Sequence, residues 1–302
     1  MGYKGQWTLG ERFGGQIPPK RSFKMIDLHV HTTASDGSCN TSEVIELAKS
    51  TGLSAIAITD HDSVDGLGFY DDEIEVIDGI ELSCDFSREM HIVGLYIDKN
   101  NEVLAEKLIK LAELREVRNL KTLKILNELG FPITVDEVKK IATGKIWGRA
   151  HFARLLFEKG YVESTKDAFR KYLGHGRPAY VTEDRMQPEE CIRFIKNAGG
   201  IPILAHMHYL HLDEIELRAL LLELKSYGLM GVETKYTEYT PENEKLYIRM
   251  AEELGLLKSG GSDFHGFMKP DIKIGTGFGN LKVPCSYLKK IKGERENAKA
   301  DQ

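Results

Sequence analysis

Met25-Ile26-Asp27-Leu28-His29-Val30-His31 alternates apolar and polar side chains, the pattern of a half-buried strand, and it ends in two histidines. Their i, i+2 spacing sets both rings on one side of that strand. A turn, Ser35-Asp36-Gly37, leads to a helix entered near Asn40, with Glu43 three residues on as a cap-like start, and stopped at Thr51-Gly52. The run 55–59 is the next strand. Apolar runs at 74–80, 91–97, 201–205, 230–234 and 256–259 bring the number to about seven, several separated by helical stretches, which predicts parallel β/α units. Pro188 and Pro241 stand at first helical positions, and Asp213 can cap the helix running to Gly228. Alternation over this length makes a doubly wound sheet or a barrel.

One stretch breaks the alternation. Between residues 99 and 180 leucines and one valine recur every three residues or so from Leu104 to Leu129, predicting a long amphipathic helix ended by Gly130. Thr134 with Glu137 makes a capping box, and 149–158 and 165–173 read as two more helices. The expected organisation is an extension over 1–24, a discontinuous barrel over 25–98 and 181–285, an all-helical lid over 99–180, and a tail over 286–302. The lid carries 17 Lys/Arg against 10 Asp/Glu, a net of +7, while the remainder is at −12. A basic lid over an acidic body suits an anionic substrate at a metal centre, and a solvated helix face is the alternative.

Composition bounds the rest. The 302 residues are 41 % hydrophobic and 29 % charged, enough for one barrel with an insertion or for two domains. A net charge of −5 excludes a polycation built to coat nucleic acid. No apolar run approaches the ~20 residues of a spanning helix. Cys39, Cys84, Cys191 and Cys285 form no C-x-x-C pair, and scattered thiols fit a reducing cytoplasm. The first 24 residues are Gly-rich and lack a continuous apolar core, so they read as a loose extension rather than a signal peptide.

Histidines and carboxylates collect at strand ends: His29-x-His31 with Asp36 after it, Thr59-Asp60-His61-Asp62, Gly79-Ile80-Glu81, His91, Ala205-His206, and Gly261-Ser262-Asp263-Phe264-His265. A closed barrel brings the C-terminal strand ends to one mouth. Each motif alone is weak, but their conjunction at strand ends predicts a metal centre. Imidazole and carboxylate without thiolate suit zinc, manganese or iron.

This ordered set resembles the polymerase-and-histidinol-phosphatase (PHP) family of metal-dependent phosphoesterases, from residue 25 to about 281. The resemblance implies an α/β fold, a distorted seven-stranded β/α (TIM-like) barrel, and two or three divalent metal ions (Mn, Fe or Zn). It implies one site from His29, His31, Glu81 and Asp263, a second from Asp36, His61 and His265, and a third from Glu81, His91 and His206. The family pattern A-H-P reads Ala205-His206-Met207-His208 here, and strand alternation would set His208 on the side of His206, so the two could exchange. Gly148-Arg149-Ala150-His151 and the 172–181 segment look like the lid of stand-alone members. That branch includes nucleoside 3′,5′-bisphosphate phosphatases and a 5′-to-3′ exoribonuclease of short RNA.

By resemblance Arg149 and His151 meet substrate phosphate and take part in catalysis, with Arg177 a further substrate contact. Arg149 offers a planar fork at a helix start, an anion-favouring place, although pairing with an acid is a common fate of arginine. Trp147 could stack on a base or pack in a core. Arg115, Arg118, Lys121 and Lys124 could track a nucleic-acid backbone, but the interleaved Glu113, Glu116 and Glu128 favour a solvated face. Asp60 or Asp62 could orient a ligand imidazole. The expected reaction is hydrolysis of a nucleotide phosphate ester by metal-activated hydroxide. The alternatives are a histidinol-phosphate phosphatase and a non-catalytic, metal-stabilised nucleic-acid scaffold. The expected partner is a phosphorylated small molecule or short RNA, with no membrane and no obligatory protein.

Overall fold

The computed structural model describes residues 25–142, 144, 146–182 and 185–300. The 1–24 extension lies outside the described residues.

Strands β1 (Met25–Val30), β2 (Ala55–Ile58), β3 (Glu75–Ser83), β4 (His91–Leu95), β5 (Ile201–Leu204), β6 (Gly231–Tyr236), β7 (Leu257–Gly261) and β8 (Val283–Pro284) form one sheet in the order β7-β6-β5-β4-β3-β2-β1-β8. The sheet closes on itself past β7. Asp263 N–H donates to His29 O at 2.9 Å and His31 N–H to Phe264 O at 2.9 Å. The close approach needs glycine there: a Cβ on Gly261 would sit 2.4 Å from Cβ of His29.

The fold is thus an α/β barrel, with two departures from the expected seven parallel strands. A short eighth strand pairs antiparallel to β1. More consequentially, β4 runs antiparallel to both β3 and β5. That reversal explains why His91 opens its strand rather than ending it: the first residue of an antiparallel strand reaches the mouth that the last residues of its neighbours reach.

Helices α1 (Thr41–Ser50), α6 (Pro188–Asn197), α7 (Glu214–Tyr227) and α8 (Pro241–Glu253) pack outside the sheet. Asn40, Asp213 and Thr240 cap three of them in capping boxes, Glu190 accepts the Gln187 N–H at the start of the fourth, and Pro188 and Pro241 take first-turn positions. Strand residues alternate between two apolar layers. Ile56, Ile58, Ile92 and Leu204 join Val44, Ile195, Leu221 and Met250 of these helices. Ala57, Val93, Leu95 and Ile203 join Tyr287, Leu288 and Ile291. These last belong to α9 (Cys285–Ala300), so most of the expected tail is a packed helix. Its polar composition hides the three apolar residues that dock it.

Between β4 and β5 the chain builds α2 (Glu102–Glu128), α3 (Val135–Ile141), α4 (Arg149–Glu158), α5 (Thr165–Ala168) and a π-helical turn Phe169–Leu173. Their own core gathers Leu126, Val138, Trp147, Phe152, Leu156 and Leu173. The expected apolar stripe of α2 is only partly inward. Leu104, Leu108 and Leu126 are buried, but Leu114, Val117 and Leu120 face out while Arg118, Asn119 and Thr122 are buried. The helix joins the barrel core at one end and the helical core at the other, and its middle turns a polar face inward.

Candidate metal centre

The ends of β1, β2, β3, β5 and β7 and the start of β4 meet at one mouth. There the nine expected ligands lie together. His29, His31 and Asp263 offer ligand atoms within 4.8 Å of one another, as do His31, Asp36, His61 and His265; His29, Glu81 and His206; and His61, Glu81 and His91. Glu81 is central. Its Oε2 lies 3.2 Å from Nε2 of both His29 and His31 and 3.1 Å from Nδ1 of His61. Its Oε1 lies 3.0 Å from His91 Nδ1 and 2.9 Å from His206 Nε2, and those two nitrogens are 3.3 Å apart.

The chemistry of this donor set fits cations. His29 Nε2 and His31 Nε2 face each other at 3.1 Å between carboxylate oxygens. His31 Nδ1 and His206 Nδ1 are buried without a hydrogen-bond partner, and Glu81 Oε2 and His61 Nδ1 approach each other at 3.1 Å without hydrogen-bonding geometry. Left without metal, the cluster must hold protons. Burial lowers the affinity of His29 for a proton, but Glu81 and Glu233 raise it well above the usual imidazole value. Burial likewise opposes a proton on His31, yet Asp263 and Glu81 push it up to about 9. A divalent ion replaces such protons.

Residues without a role in the sequence reading hold the cluster in place. Glu233 of β6 sets Oε1 2.9 Å from His29 Nδ1 and accepts the His206 N–H at 2.7 Å. Asp263 Oδ2 accepts from Tyr236 at 2.7 Å and from Lys269 at 2.6 Å, leaving Oδ1 towards His31 at 3.2 Å. Asp27 accepts from Ser262 N–H, Ser262 Oγ and Gly275 N–H. Asp62, His206 and Asp263 all have positive φ, backbone strain gathered at the mouth.

Several expectations change. Asp60 does not orient an imidazole: it accepts from Thr32 and Ser35 and shapes the turn carrying Asp36. Asp62 accepts from Ser83 and pairs with Arg115. His208 does not share the side of His206. β5 ends at Leu204, and the 3-10 turn Met207–Leu210 swings His208 away to Glu238 at 3.3 Å.

The mouth opens into a cavity of about 650 Å³ under the helical segment. Asp36, His61, His91 and His265 line its barrel side, and Arg115, Arg118, Arg149, His151, Lys166 and Arg185 line it too. The face of α2 read as solvated therefore addresses the cavity at Arg115 and Arg118, the latter only 3 % exposed. The interleaved glutamates point elsewhere, Glu116 accepting from Trp147 Nε1 and from Lys139. Trp147 is buried in the helical core. Arg149 lies over the Tyr180 ring with its guanidinium carbon 5.1 Å from the centroid. His151 Nδ1 accepts the Gly148 N–H at 3.1 Å, which leaves Nε2 to carry the ring proton. Burial keeps that ring neutral. Arg177 is not among the cavity-lining residues: it is exposed in the turn after Gly174.

Known proteins are similar to this chain in sequence and in shape. The PHP-domain profile matches residues 27–176. A 5′-3′ exoribonuclease of Haemophilus influenzae is 35 % identical over 252 residues, covering 80 % of this chain and 90 % of that one. A 3′,5′-nucleoside bisphosphate phosphatase of Chromobacterium violaceum is 32 % identical over 247 residues, covering 80 % and 87 %. Among solved structures, an amidohydrolase of Chromobacterium violaceum with bound sulfate and no metal superimposes with a TM-score of 0.79 at 28 % identity, covering 89 % of this chain and 96 % of that one. Among the described residues no helix is long and apolar enough to cross a membrane.

Proposed function

Since the chain belongs to the PHP family of metal-dependent phosphoesterases, we propose that it hydrolyses a phosphate ester of a nucleotide, either a nucleoside 3′,5′-bisphosphate or a 5′-phosphorylated short RNA. The observation that carries this reading is the cavity itself, which joins the histidine–carboxylate cluster to a wall of arginine and lysine side chains. A phosphate needs both: cations on its oxygens and a centre that activates water. The two relatives named for such substrates support the choice of nucleotide.

In this reading His29, His31, Glu81 and Asp263 would hold one metal, Asp36, His61 and His265 a second, and Glu81 with His91 and His206 a third. Divalent ions held there would supply a water with its pKa lowered towards ~7 and positive charge for the phosphoryl oxygens. Arg149 presents a planar fork to phosphoryl oxygens and is steadied by Tyr180. His151, neutral, donates from Nε2 to an oxygen of the same group. Residues 99–180 act as a lid that keeps bulk water from the mouth. The compartment is the cytoplasm, in keeping with four free cysteines.

The test is phosphate release by the manganese-loaded protein from adenosine 3′,5′-bisphosphate, from a 5′-phosphorylated RNA oligomer and from L-histidinol phosphate. Turnover of the bisphosphate or stepwise shortening of the RNA supports the reading, and His31→Ala should abolish it. Turnover of L-histidinol phosphate alone moves the assignment to that substrate. RNA binding without cleavage by any route, with metal content verified, replaces the enzyme by a scaffold.

A further inference from the structure

The mechanism above uses the cationic wall of the cavity and leaves its apolar wall without a role. The segment after β7 supplies Met268, Pro270, Ile272 and Phe278 to that wall, and the helical segment supplies Ile146, Trp147 and Phe169. Phe278 is 56 % exposed, a large aromatic face turned to solvent. A single exposed apolar residue is ordinary in itself. This one lines the same cavity as the metal cluster, and its backbone is built to hold it there.

The segment Gly275-Thr276-Gly277-Phe278-Gly279 places three glycines at positive φ, at 72°, 56° and 107°. Only glycine accepts that sequence of left-handed turns cheaply. The turns are hydrogen-bonded throughout. Gly277 N–H donates to Lys273 O at 2.8 Å, Lys273 N–H to Gly277 O at 2.9 Å, Gly279 N–H to Thr276 O at 2.8 Å, and Leu281 N–H to Thr276 O at 3.1 Å. The base of the loop is fastened to the metal-bearing strands: Gly275 N–H donates to Asp27 Oδ2 at 2.7 Å, and Asp27 also holds Ser262 and the His29 N–H. Ile274 and Leu281 are buried on either side. Phe278 is therefore an exposed ring on a rigid mount, at a fixed place relative to the mouth.

On the phosphoesterase reading of the same cavity, we infer that Phe278 is the platform on which the heterocycle of a nucleotide substrate stacks, and hence a residue that selects phosphoesters bearing a planar aromatic base over plain sugar phosphates. A phosphate held between the cluster and Arg149 fills only part of about 650 Å³. The apolar lining, Phe278 included, is left for the rest of the substrate, and a nucleobase matches it: a flat π face for stacking and an apolar body that leaves water on burial. Stacking tolerates every base, so the platform selects for the presence of a base and not for its identity.

The test is calorimetric titration of the manganese-loaded protein with adenosine 5′-monophosphate and with ribose 5-phosphate, for the native chain, Phe278→Ala and Phe278→Trp. The native chain should bind the base-bearing ligand about tenfold tighter. Phe278→Ala should lose that advantage while binding ribose 5-phosphate within about twofold of the native chain, and Phe278→Trp should keep it. The unchanged sugar-phosphate affinity also shows that the variant is folded. Equal affinity for the two ligands in the native chain, binding of neither, or a Phe278→Ala effect that is absent or the same for both would overturn the assignment. Failure of the phosphoesterase reading registers separately, as absence of both phosphate release from adenosine 3′,5′-bisphosphate and shortening of the RNA oligomer with the binding contrast intact.

Discussion

Glu233 Oε1 stands 2.9 Å from Nδ1 of His29, and its Oε2 accepts the backbone N–H of His206 at 2.7 Å. One buried carboxylate thus sets the tautomer of a candidate ligand on β1 and the chain position of another after β5. With Nδ1 carrying the proton, His29 Nε2 presents a lone pair to the centre. Glu233→Gln should undo this. Its amide oxygen can still accept from His206, but its NH₂ then faces His29 Nδ1 and drives the ring proton to Nε2. Manganese affinity should fall about 10- to 100-fold, read by competition with a chelator. Unchanged affinity and stoichiometry would remove Glu233 from the metal site.

Glu233 also marks the limit of what the sequence discloses. The nine candidate ligands are legible because polar residues at the ends of apolar strands have few other reasons to be there. Glu233 sits inside Gly231–Tyr236, where an alternating polar residue reads as solvent-facing, and only closure of the barrel buries it. The same blindness affects Arg115 and Arg118. Interleaved glutamates mark a solvated face when the helix is taken alone, and the cavity beneath α2 is made by elements distant in sequence. The reversal of β4 had a trace: His91 opens its run while the other candidate ligands close theirs or follow them. His208 misled because alternation was continued past Leu204, where the strand stops.

Asp62 and Arg115 pair across the boundary between barrel and helical segment, with side chains 4 % and 14 % exposed. Asp62 follows His61 directly and also holds the Ser83 N–H and hydroxyl, so it ties two strand ends to α2. Arg115→Met strands a buried carboxylate and should cost about 3 kcal/mol in urea unfolding. Adding Asp62→Asn, which tolerates the positive φ at that position, should return more than about 1 kcal/mol of the loss. Additive losses in the double variant would mean the pair is not coupled.

Metal removal should expose the protons the cluster then carries. In the metal-free protein Asp263 and Glu81, against the effect of burial, raise His31 from 6.5 to about 9. A raised pKa stabilises the fold fully below about pH 6.5 and loses that contribution as pH rises through about 9. Metal binding requires the neutral ring, so affinity should climb with pH over the same window, about tenfold per unit for each proton displaced. The melting-temperature gap between manganese-loaded and chelator-treated protein should therefore widen from pH 6.5 to 9. A gap that stays constant or narrows would mean that His31 gives up no proton to the metal.

Closure of the barrel rests on the absence of a side chain at Gly261. A Cβ there would meet His29 Cβ at 2.4 Å, His29 N at 2.5 Å and His29 Cα at 2.8 Å, backbone that cannot step aside without moving a candidate ligand. The φ at Gly261 is not left-handed, so the obstacle is contact alone. Gly261→Ala should destabilise the fold by about 1–3 kcal/mol and weaken metal binding in the same variant, since overpacking forces backbone shifts. Gly293→Ala serves as the counterpart. It lies inside α9 with nothing within 4 Å of a new Cβ, and should raise stability by about 0.5–1 kcal/mol with metal binding unchanged. If Gly261→Ala melted like the native protein and kept its manganese, the β1–β7 seam would be looser than these distances require, and the position of His29 would not depend on the contact at Gly261.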